Sequence, residues 1–208
     1  MITVHHLNES RSQRILWLLE EIGAPYEIKF YQRDTKTRLA PPELKAVHPL
    51  GKSPVISDEH GTIIESGAII DHLIRKHGGS ALMPAADTPA YETYNQWLHY
   101  AEGSAMLPFM LKLYCGMIGD GAAPLTPRIE SEIANHLGYI EAALADKDWL
   151  VGGKLSGADV QMSFVGEIAC RYGLHATHPN IGGWVKRFQA RDAYKRALER
   201  GGPYSMAG

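Results

Sequence analysis

Cysteine is scarce in this chain. Among 208 residues the only cysteines are Cys115 and Cys170, which lie far apart and form no Cys-x-x-Cys motif. Two isolated cysteines provide no disulfide framework, and this usage is typical of a reducing compartment. We therefore expect a cytoplasmic protein.

An excess of either charge and long apolar runs are also absent. The formal net charge is −2, so there is no basic surplus to attract nucleic acid. No apolar stretch approaches the length needed to cross a bilayer. Residues 1–6 lack the charged-then-apolar order of a signal peptide. We expect neither nucleic acid nor a membrane as a partner.

The spacings that mark metal sites are missing as well. The ten histidines are scattered, and none forms a His-Glu-x-x-His motif. His175 and His178 lie three residues apart, which matches no metal motif. The sequence therefore predicts no metal site.

The first part of the chain alternates between strand and helix patterns. The apolar periodicity and the Gly23 stop predict a helix over 12–22, and Gly78-Gly79 ends a second helix. The predicted order is strand 2–6, helix 12–22, strand 26–31, short helix 42–47, strands 55–57 and 62–64, and helix 66–77. This βαβ-then-ββα order predicts a small α/β sandwich.

Residues 80–87 read as a linker, and the chain after it shows only helical patterns. Pro108 is expected to bend or interrupt a long helix over 88–113. Thr126 is predicted as the N-cap of a helix with Pro127 at its first position, and Ser156 with Asp159 has the spacing of a capping box. The predicted helices are 88–113, 126–145, one beginning at 156, 181–190 and 193–200.

The most informative stretch runs from His48 to Ile56. Pro54 fits the first residue of a strand, and a bond between Ser53 and Pro54 is of the kind that can be cis in tight turns. A cis bond there would leave the backbone of Val55 unpaired, available to an extended peptide.

A second feature follows nine residues later. Ser66 is a suitable N-cap for an apolar helix, whose first N–H groups attract a carboxylate. Glu65 beside it offers a negative charge to an ammonium group. Together the two stretches indicate a pocket for a small, extended, charged peptide.

These motifs give the chain a family resemblance along nearly its whole length. The segment His48-Pro-Leu-Gly-Lys-Ser-Pro-Val55 is similar to the (N/H)-P-x-G-K-(V/S)-P motif, with its cis-proline, of the cytosolic glutathione S-transferases. Glu65-Ser66 matches that family's E-S pair, and Ser156 to Asp159 matches the capping motif of its buried helix. Residues 6–14 and 38–45 look most like a bacterial and fungal branch.

The resemblance implies a fold and a substrate. It implies a thioredoxin-like α/β domain over 1–79 that binds glutathione, a linker over 80–87, and an all-helical domain over 88–208. Glutathione would be a co-substrate, and no cofactor is expected.

The resemblance also assigns the residues of the pocket. The Val55 backbone would pair with the cysteinyl part of glutathione, while Glu65 and Ser66 hold its γ-glutamyl end. Lys52 and His48 would lie near the glycyl carboxylate, although Lys52 also fits a solvated surface charge. The implied glutathione-binding set is His48, Lys52, Ser53, Pro54, Val55, Glu65 and Ser66.

Activation of the glutathione thiol is assigned to the loop after the first strand. The family places Tyr, Ser or Cys there, but this chain has no tyrosine before Tyr26 and no cysteine before Cys115. Ser10, Asn8 and Ser12 therefore remain as candidates.

Ser10 is the first choice because it lies four residues before Arg14, as does the catalytic serine of theta-like members. It also begins a Ser-Arg-Ser-Gln capping pattern, so it could serve only to cap the helix. Asn8 could donate through its amide, and Arg11 could add positive field. We predict that Ser10 donates a hydrogen bond to the thiolate.

The electrophile is expected to lie against the long helix that follows the linker. The residues assigned to this hydrophobic site are Met106, Phe109, Met110, Tyr114 and, near the C-terminus, Tyr204. A methionine-rich helical stripe also fits core packing. In related dimers an acid of the partner subunit reaches the glutathione amino group, and Glu102 is the candidate here.

The leading hypothesis is a homodimeric enzyme that adds the glutathione thiolate to small hydrophobic electrophiles. A close variant would reduce organic hydroperoxides with the same thiolate. The alternative is a glutathione-binding or protein-interaction module that has lost catalysis, because fold alone does not fix function.

Overall fold

The computed structural model describes residues 1–207, which divide into two units. The first unit contains Met1–Pro84 together with the chain from Lys186 onward, and the second contains Ala85–Val185. The C-terminal segment belongs to the first unit because its helix packs on the first helix of the chain. The sequence-based boundaries instead assigned that segment to the helical domain.

The first unit begins with the predicted alternation of strands and helices. Its elements are β1 (Ile2–Leu7), α1 (Ser12–Ile22), β2 (Tyr26–Tyr31), α2 (Glu43–Val47), β3 (Val55–Asp58), β4 (Gly61–Ile64) and α3 (Ser66–Lys76). The four strands form one sheet in the order β2-β1-β3-β4. β1 and β2 are parallel, whereas β3 is antiparallel to both of its neighbours. The predicted thioredoxin-like α/β fold is confirmed.

Helix α1 lies at the centre of this unit. Ile15 to Leu19 are fully buried, because the sheet covers one side of the helix and the C-terminal helix covers the other. Trp17 stacks on Phe188 with ring centroids 5.1 Å apart and meets Tyr194 edge-on at 5.6 Å. Burial of three such aromatic rings favours folding by several kcal/mol, on the order of 2 kcal/mol for each.

The regular secondary structure of the second unit, within the part of the chain that the structure describes, is helical. Its helices are α4 (Pro89–Tyr100), α5 (Met106–Ile118), α6 (Thr126–Ala143), α7 (Gly157–Arg171) and α8 (Pro179–Gln189), the last of which continues into the C-terminal segment. That segment contains α9 (Asp192–Gly201). No helix described here is both long and apolar enough to span a membrane.

The long helix predicted over 88–113 is interrupted, as expected from Pro108. A π-helical turn over Ala101–Ala105 separates α4 from α5. The irregular turn precedes the proline because its ring clashes with the carbonyl four residues earlier and its nitrogen cannot donate.

Two details of the helical unit differ from the sequence prediction. Gly119–Leu125 form a 3₁₀ helix that the sequence did not indicate. Because this segment runs directly into α6, Thr126 is the first helical residue and Leu125 takes the N-cap position. The prediction of Thr126 as the N-cap was therefore wrong.

The capping box at α7 is confirmed. The Asp159 carboxylate accepts hydrogen bonds from the Ser156 N–H at 2.9 Å, the Leu150 N–H at 3.0 Å and the Trp184 indole N–H at 3.1 Å. Burial raises the pKa of Asp159 to about 6 although these bonds oppose the rise. Asp159 thus joins the start of α7 to the preceding loop and to α8.

Candidate functional site

The register of the sheet brings three loops to one edge. Val4 is opposite Ile56 in an antiparallel pair, so the end of β1 lies beside the start of β3. Val55 is opposite Ile64, so the end of β4 lies there too. The loops that meet at this edge are 8–11, 48–54 and 65–66, which carry the predicted thiol and glutathione residues.

The turn before β3 is closed by backbone geometry. The Gly51 N–H donates to the His48 carbonyl at 2.8 Å. Gly51 has φ +56°, and a Cβ placed on it would lie 2.8 Å from Cγ of Lys45, so both conformation and space require glycine. The Ser53–Pro54 bond is cis, and the Ser53 hydroxyl donates to the His5 carbonyl at 3.0 Å.

The expectation of an unpaired Val55 backbone was wrong. Val55 is fully buried. Because β4 extends as far as Ile64, Val55 pairs with that residue inside the sheet. Ser53 is instead the residue whose main chain lies outside the strand, immediately before Pro54. Lys52 is exposed, and His48 is half-buried, with its Nδ1 accepting from the Leu50 N–H at 3.4 Å.

The start of α3 also differs by one residue. Glu65 is the N-cap, with its carbonyl accepting from the Ile69 N–H at 2.9 Å, and Ser66 is the first helical residue. The prediction of Ser66 as the N-cap was therefore wrong. Glu65 has φ +66°, a conformation that is uncommon outside glycine and that often marks a functional position.

The two side chains at this helix start differ in exposure: that of Glu65 is exposed, whereas Ser66 is 4 % exposed. Within residues 1–207 no hydrogen bond or ion pair engages the exposed Glu65 carboxylate or the Ser66 hydroxyl. The unpaired N–H groups of the first turn of α3 lie beside them. The arrangement offers an anion for an ammonium group and N–H donors for a carboxylate.

Asn8 follows β1 directly and is oriented by Arg33, the second residue after β2. Its Oδ1 accepts from the Arg33 N–H at 2.8 Å, and its own N–H donates to the Tyr31 carbonyl at 3.1 Å. The Asn8 amide nitrogen has no hydrogen-bond partner among the described residues, and it is not sealed from solvent. The amide is therefore fixed at its oxygen and free to donate at its nitrogen.

Ser10 has a different environment. It is 4 % exposed, and its hydroxyl lies 2.8 Å from the Ser12 hydroxyl and accepts from the Ser12 N–H at 3.2 Å. The Ser12 hydroxyl lies in turn 2.8 Å from Nδ1 of His6, with the Leu7 carbonyl a longer contact at 3.3 Å.

The direction of this chain of hydrogen bonds follows from His6. Burial lowers the pKa of His6 to about 4, so the ring is neutral near pH 7. It donates to the Gly201 carbonyl, so its Nδ1 must accept from Ser12. Ser12 then accepts from Ser10, and the Ser10 proton points into the protein. The capping box predicted from Ser10 does not form, because Arg11 is the N-cap of α1 and has no side-chain cap bond.

Arg33 is a site residue that sequence reasoning missed. Its guanidinium donates to the carbonyls of Asn8 at 3.1 Å, Glu9 at 3.3 Å and Arg38 at 2.9 Å. Burial and the nearby charges of Arg38 and Arg11 lower its pKa. The predicted Arg11 is therefore one of three neighbouring positive charges in and around the loop of residues 8–11, the thiol loop. An arginine two residues after β2 was the only signal in the sequence.

The C-terminal segment lies against the same loop. Glu9 accepts from the Ser205 N–H at 2.9 Å and from its hydroxyl at 2.6 Å. Tyr204 is half-buried, and its hydroxyl lies 3.9 Å from the sulfur of Met206. Tyr204, a predicted co-substrate residue, therefore adjoins Ser205, which is hydrogen-bonded to Glu9 of the thiol loop.

The other residues predicted for the hydrophobic co-substrate lie on α5 and divide into two groups. Met106 and Phe109 are 2 % and 3 % exposed, with Phe109 stacked on Tyr172 at 6.2 Å. Tyr114 is 54 % exposed, and Met110 is half-buried. Burial of the first pair matches the alternative that part of the methionine-rich stripe is core.

A pocket of ≈ 540 Å³ in the second unit contains none of these residues. It lies along α4 and the π-helical turn, beside the half-exposed Glu102. Its lining residues are Glu92, Asn95, Gln96, Trp97, His99, Tyr100, Gly103, Ser104 and Tyr139. The lining combines three aromatic rings with polar side chains and contains no methionine, so it differs from the methionine-rich site that the sequence predicted.

Comparison with protein families gives a match in each half of the chain. Residues 1–75 match the model described as "Glutathione S-transferase, N-terminal domain". Residues 104–192 match "Glutathione S-transferase, C-terminal domain".

Individual proteins resemble the chain over nearly its full length. Glutathione S-transferase 3 of Schizosaccharomyces pombe is 36 % identical over 96 % of this chain and 88 % of its own. Glutathione S-transferase 1 of Saccharomyces cerevisiae is 31 % identical over 96 % and 95 %. A crystal structure of a glutathione S-transferase from Actinobacillus pleuropneumoniae has a TM-score of 0.89 and 36 % identity, covering 99 % of this chain and 95 % of that one.

Proposed function

The chain belongs to the glutathione S-transferase family and is a glutathione transferase, and from this we propose that glutathione binds at the sheet edge formed by loops 8–11, 48–54 and 65–66. The observation that carries the proposal is the sheet register, which gathers these loops from three separate parts of the sequence. Their chemistry suits a peptide with an amino end, carboxylates and one thiol.

The γ-glutamyl end is assigned to the start of α3. The Glu65 carboxylate attracts the ammonium group, while the Ser66 hydroxyl and the first N–H groups of the helix bind the carboxylate. The assignment is supported because neither side chain has a hydrogen-bond or ion-pair partner within residues 1–207.

The cysteinyl part is assigned to the main chain of Ser53, because Val55 is already paired in the sheet. Pro54 supports that main chain from within the turn. The glycyl carboxylate, at the far end of the tripeptide, is assigned to Lys52 and His48. Lys52 is an exposed cation, and His48 is a half-buried hydrogen-bonding group.

The thiol is assigned to Asn8, with Ser10 as the alternative. A free thiol has a pKa of about 8.5, and lowering it by two units takes about 2.7 kcal/mol of preference for the anion. A hydrogen bond to a charged group contributes about 1.5–3 kcal/mol. The Asn8 amide nitrogen is free to donate, whereas the Ser10 proton is engaged by Ser12. Arg11 adds positive field.

In the proposed reaction the thiolate attacks an electrophilic carbon, the new carbon–sulfur bond forms, and the leaving group departs with the electron pair. Met110 and Tyr114 are the candidates of the helical unit for contact with a small hydrophobic electrophile, and Tyr204 is the candidate of the first unit, each judged by itself. Organic hydroperoxides are the alternative substrate class. The same thiolate would attack the terminal peroxide oxygen, the O–O bond would break with the alcohol leaving, and a second glutathione would convert the sulfenic acid to glutathione disulfide and water. A theta-like serine type would require Ser10 as the donor.

We further propose a cytoplasmic homodimer in which Glu102 of one subunit approaches the glutathione amino group of the other. Glu102 is half-exposed on the π-helical turn, a place where a helix departs from regular geometry and which is frequently functional.

Two assays on purified protein test the proposal. Conjugation of chlorodinitrobenzene and reduction of cumene hydroperoxide are measured for the wild type, Asn8→Ala and Ser10→Ala, with the exposed Asn135→Ala as the matched control. We expect Asn8→Ala to lower kcat/KM by about 10–100-fold and Asn135→Ala to leave it unchanged. Tight glutathione binding without turnover of either substrate would instead support a binding module.

A further inference from the structure

Three potential metal ligands meet at the other end of β3, away from the proposed glutathione edge. Asp58 is the last residue of β3, His72 lies on α3, and His77 follows its last turn. Nε2 of His72 lies 2.6 Å from Oδ2 of Asp58, and Nε2 of His77 lies 3.5 Å from the same oxygen. The three ligand atoms all lie within 4.8 Å of one another.

These groups lie in a largely enclosed position. The side chain of Asp58 is 0 % exposed, that of His72 10 % and that of His77 17 %. One carboxylate oxygen of Asp58 accepts from the His60 N–H at 2.8 Å, and the other oxygen faces both histidines. The cluster thus contains a buried carboxylate anion that can face a cation.

Hydrogen bonding within the protein accounts for only one of the two histidines. His72 makes a short bond to Asp58, whereas Nε2 of His77 is buried and has no hydrogen-bond partner among residues 1–207. A buried polar atom without a partner destabilises the fold, and an ion bound at this nitrogen would remove that cost. The nitrogen faces the same oxygen that His72 already contacts.

We propose that Asp58, His72 and His77 form a site for a divalent transition-metal ion, with Zn²⁺ as the occupant. Two imidazoles and a carboxylate are a ligand set that zinc accepts, with water in the fourth position. A tetrahedral site with ligand distances of about 2.0–2.1 Å separates its ligand atoms by about 3.3 Å. The observed separations of 2.6 and 3.5 Å from the Asp58 oxygen lie on either side of that value.

The three-ligand set leaves one position open to water, and the place of the site in the fold indicates that the ion would brace helix α3. An ion there would connect the turn between β3 and β4 to the end of α3. That helix of 11 residues is about 16 Å long and begins at the Glu65–Ser66 pair. Zinc would therefore hold the helix whose other end is assigned to glutathione, without touching the reacting atoms.

The absence of a sequence signal for this site has a simple cause. The ligands come from a strand end and a helix end, 14 and 19 positions apart, so they form no compact motif. The spacing of His72 and His77 is also longer than the one-turn spacing of helical zinc motifs. Only the packing of α3 on the sheet brings them together.

Zinc titration of metal-stripped protein, in competition with a chromogenic chelator, tests the proposal. We expect one ion per chain with a Kd near or below about 1 µM, equivalent to about −8 kcal/mol. Asp58→Asn and His77→Ala should each weaken binding at least tenfold. His175→Ala, which removes an exposed histidine of the other unit, should leave it unchanged.

Two readouts keep the test independent of a misfolded variant. Wild-type protein loaded with Co²⁺ should show the visible bands of a tetrahedral nitrogen–oxygen site, and its melting temperature should rise with added zinc. The proposal is overturned if the wild type fails to compete with the chelator. It is equally overturned if Asp58→Asn and His77→Ala bind zinc as the wild type does, or if His175→Ala alone removes binding.

Discussion

The hydroxyl groups of Ser10 and Ser12 lie 2.8 Å apart, and the Ser12 hydroxyl forms a second hydrogen bond with Nδ1 of His6. The serine that best matches a catalytic position in the sequence is therefore engaged inside the protein. Asn8, two residues earlier, has the free donor. This relationship separates residues that shape the thiol loop from the residue that we propose to act on glutathione.

Ser12→Ala should destabilise the protein more than Ser10→Ala. Ser12 is fully buried and bridges Ser10 and His6, so its loss leaves the His6 nitrogen without a donor, at a cost of about 1–3 kcal/mol. Ser10→Ala should cost about 1 kcal/mol. Urea unfolding at pH 7.5 measures both, and a larger loss for Ser10→Ala would contradict the direction assigned to these bonds.

Arg33→Ala should lower kcat/KM for conjugation by about tenfold. The guanidinium holds the carbonyls of Asn8 and Glu9, so its loss allows the Asn8 amide to move away from the thiol. The matched control is Arg38→Ala, which removes a nearby positive charge without removing these bonds. Equal losses in the two variants would indicate that charge alone matters. Arg33→Lys should not restore activity, because lysine cannot span the same acceptors.

Glu65→Gln should raise KM for glutathione by about tenfold and change kcat little. The carboxylate is assigned to the γ-glutamyl ammonium group, which contributes equally to the ground state and the transition state. Glu59→Gln provides the control, since Glu59 is an exposed acid at the other end of β3. A fall in kcat with unchanged KM would show that Glu65 acts on the chemistry instead.

His6 should make stability depend on pH in the acid range. Its pKa is lowered by burial to about 4 in the folded protein, against 6.5 in the unfolded chain. The contribution is therefore fully present above pH 6.5 and is lost as pH falls towards 4, by about 2 kcal/mol at pH 5. Urea unfolding of wild type and His6→Asn at pH 8 and pH 5 measures it. The variant should lose about 2 kcal/mol less on acidification, and an identical loss would contradict the assignment.

The strand and helix order could be predicted from sequence because the signals are local. The stripe from Ile15 to Leu19, the Gly23 stop and the Asp58-to-Gly61 turn depend on neighbouring residues only. The Ser156–Asp159 capping box is equally local, and it forms as predicted.

Other features depend on pairing across the chain. Val55 is paired because β4 reaches Ile64, which no local pattern specifies. The choice between Asn8 and Ser10 rests on which donors are already engaged, and Arg33 enters through contacts 24 and 25 residues away. The Asp58–His72–His77 cluster likewise exists only after α3 packs on the sheet.

The most direct test of the account is the pKa of the thiol of bound glutathione, followed by thiolate absorbance as pH is raised. In the wild type we expect a value about two units below the free value of about 8.5. Asn8→Ala should raise it by about one to two units, while Ser10→Ala should leave it nearly unchanged. A rise in Ser10→Ala with no change in Asn8→Ala would contradict the account and restore the serine as the thiolate donor.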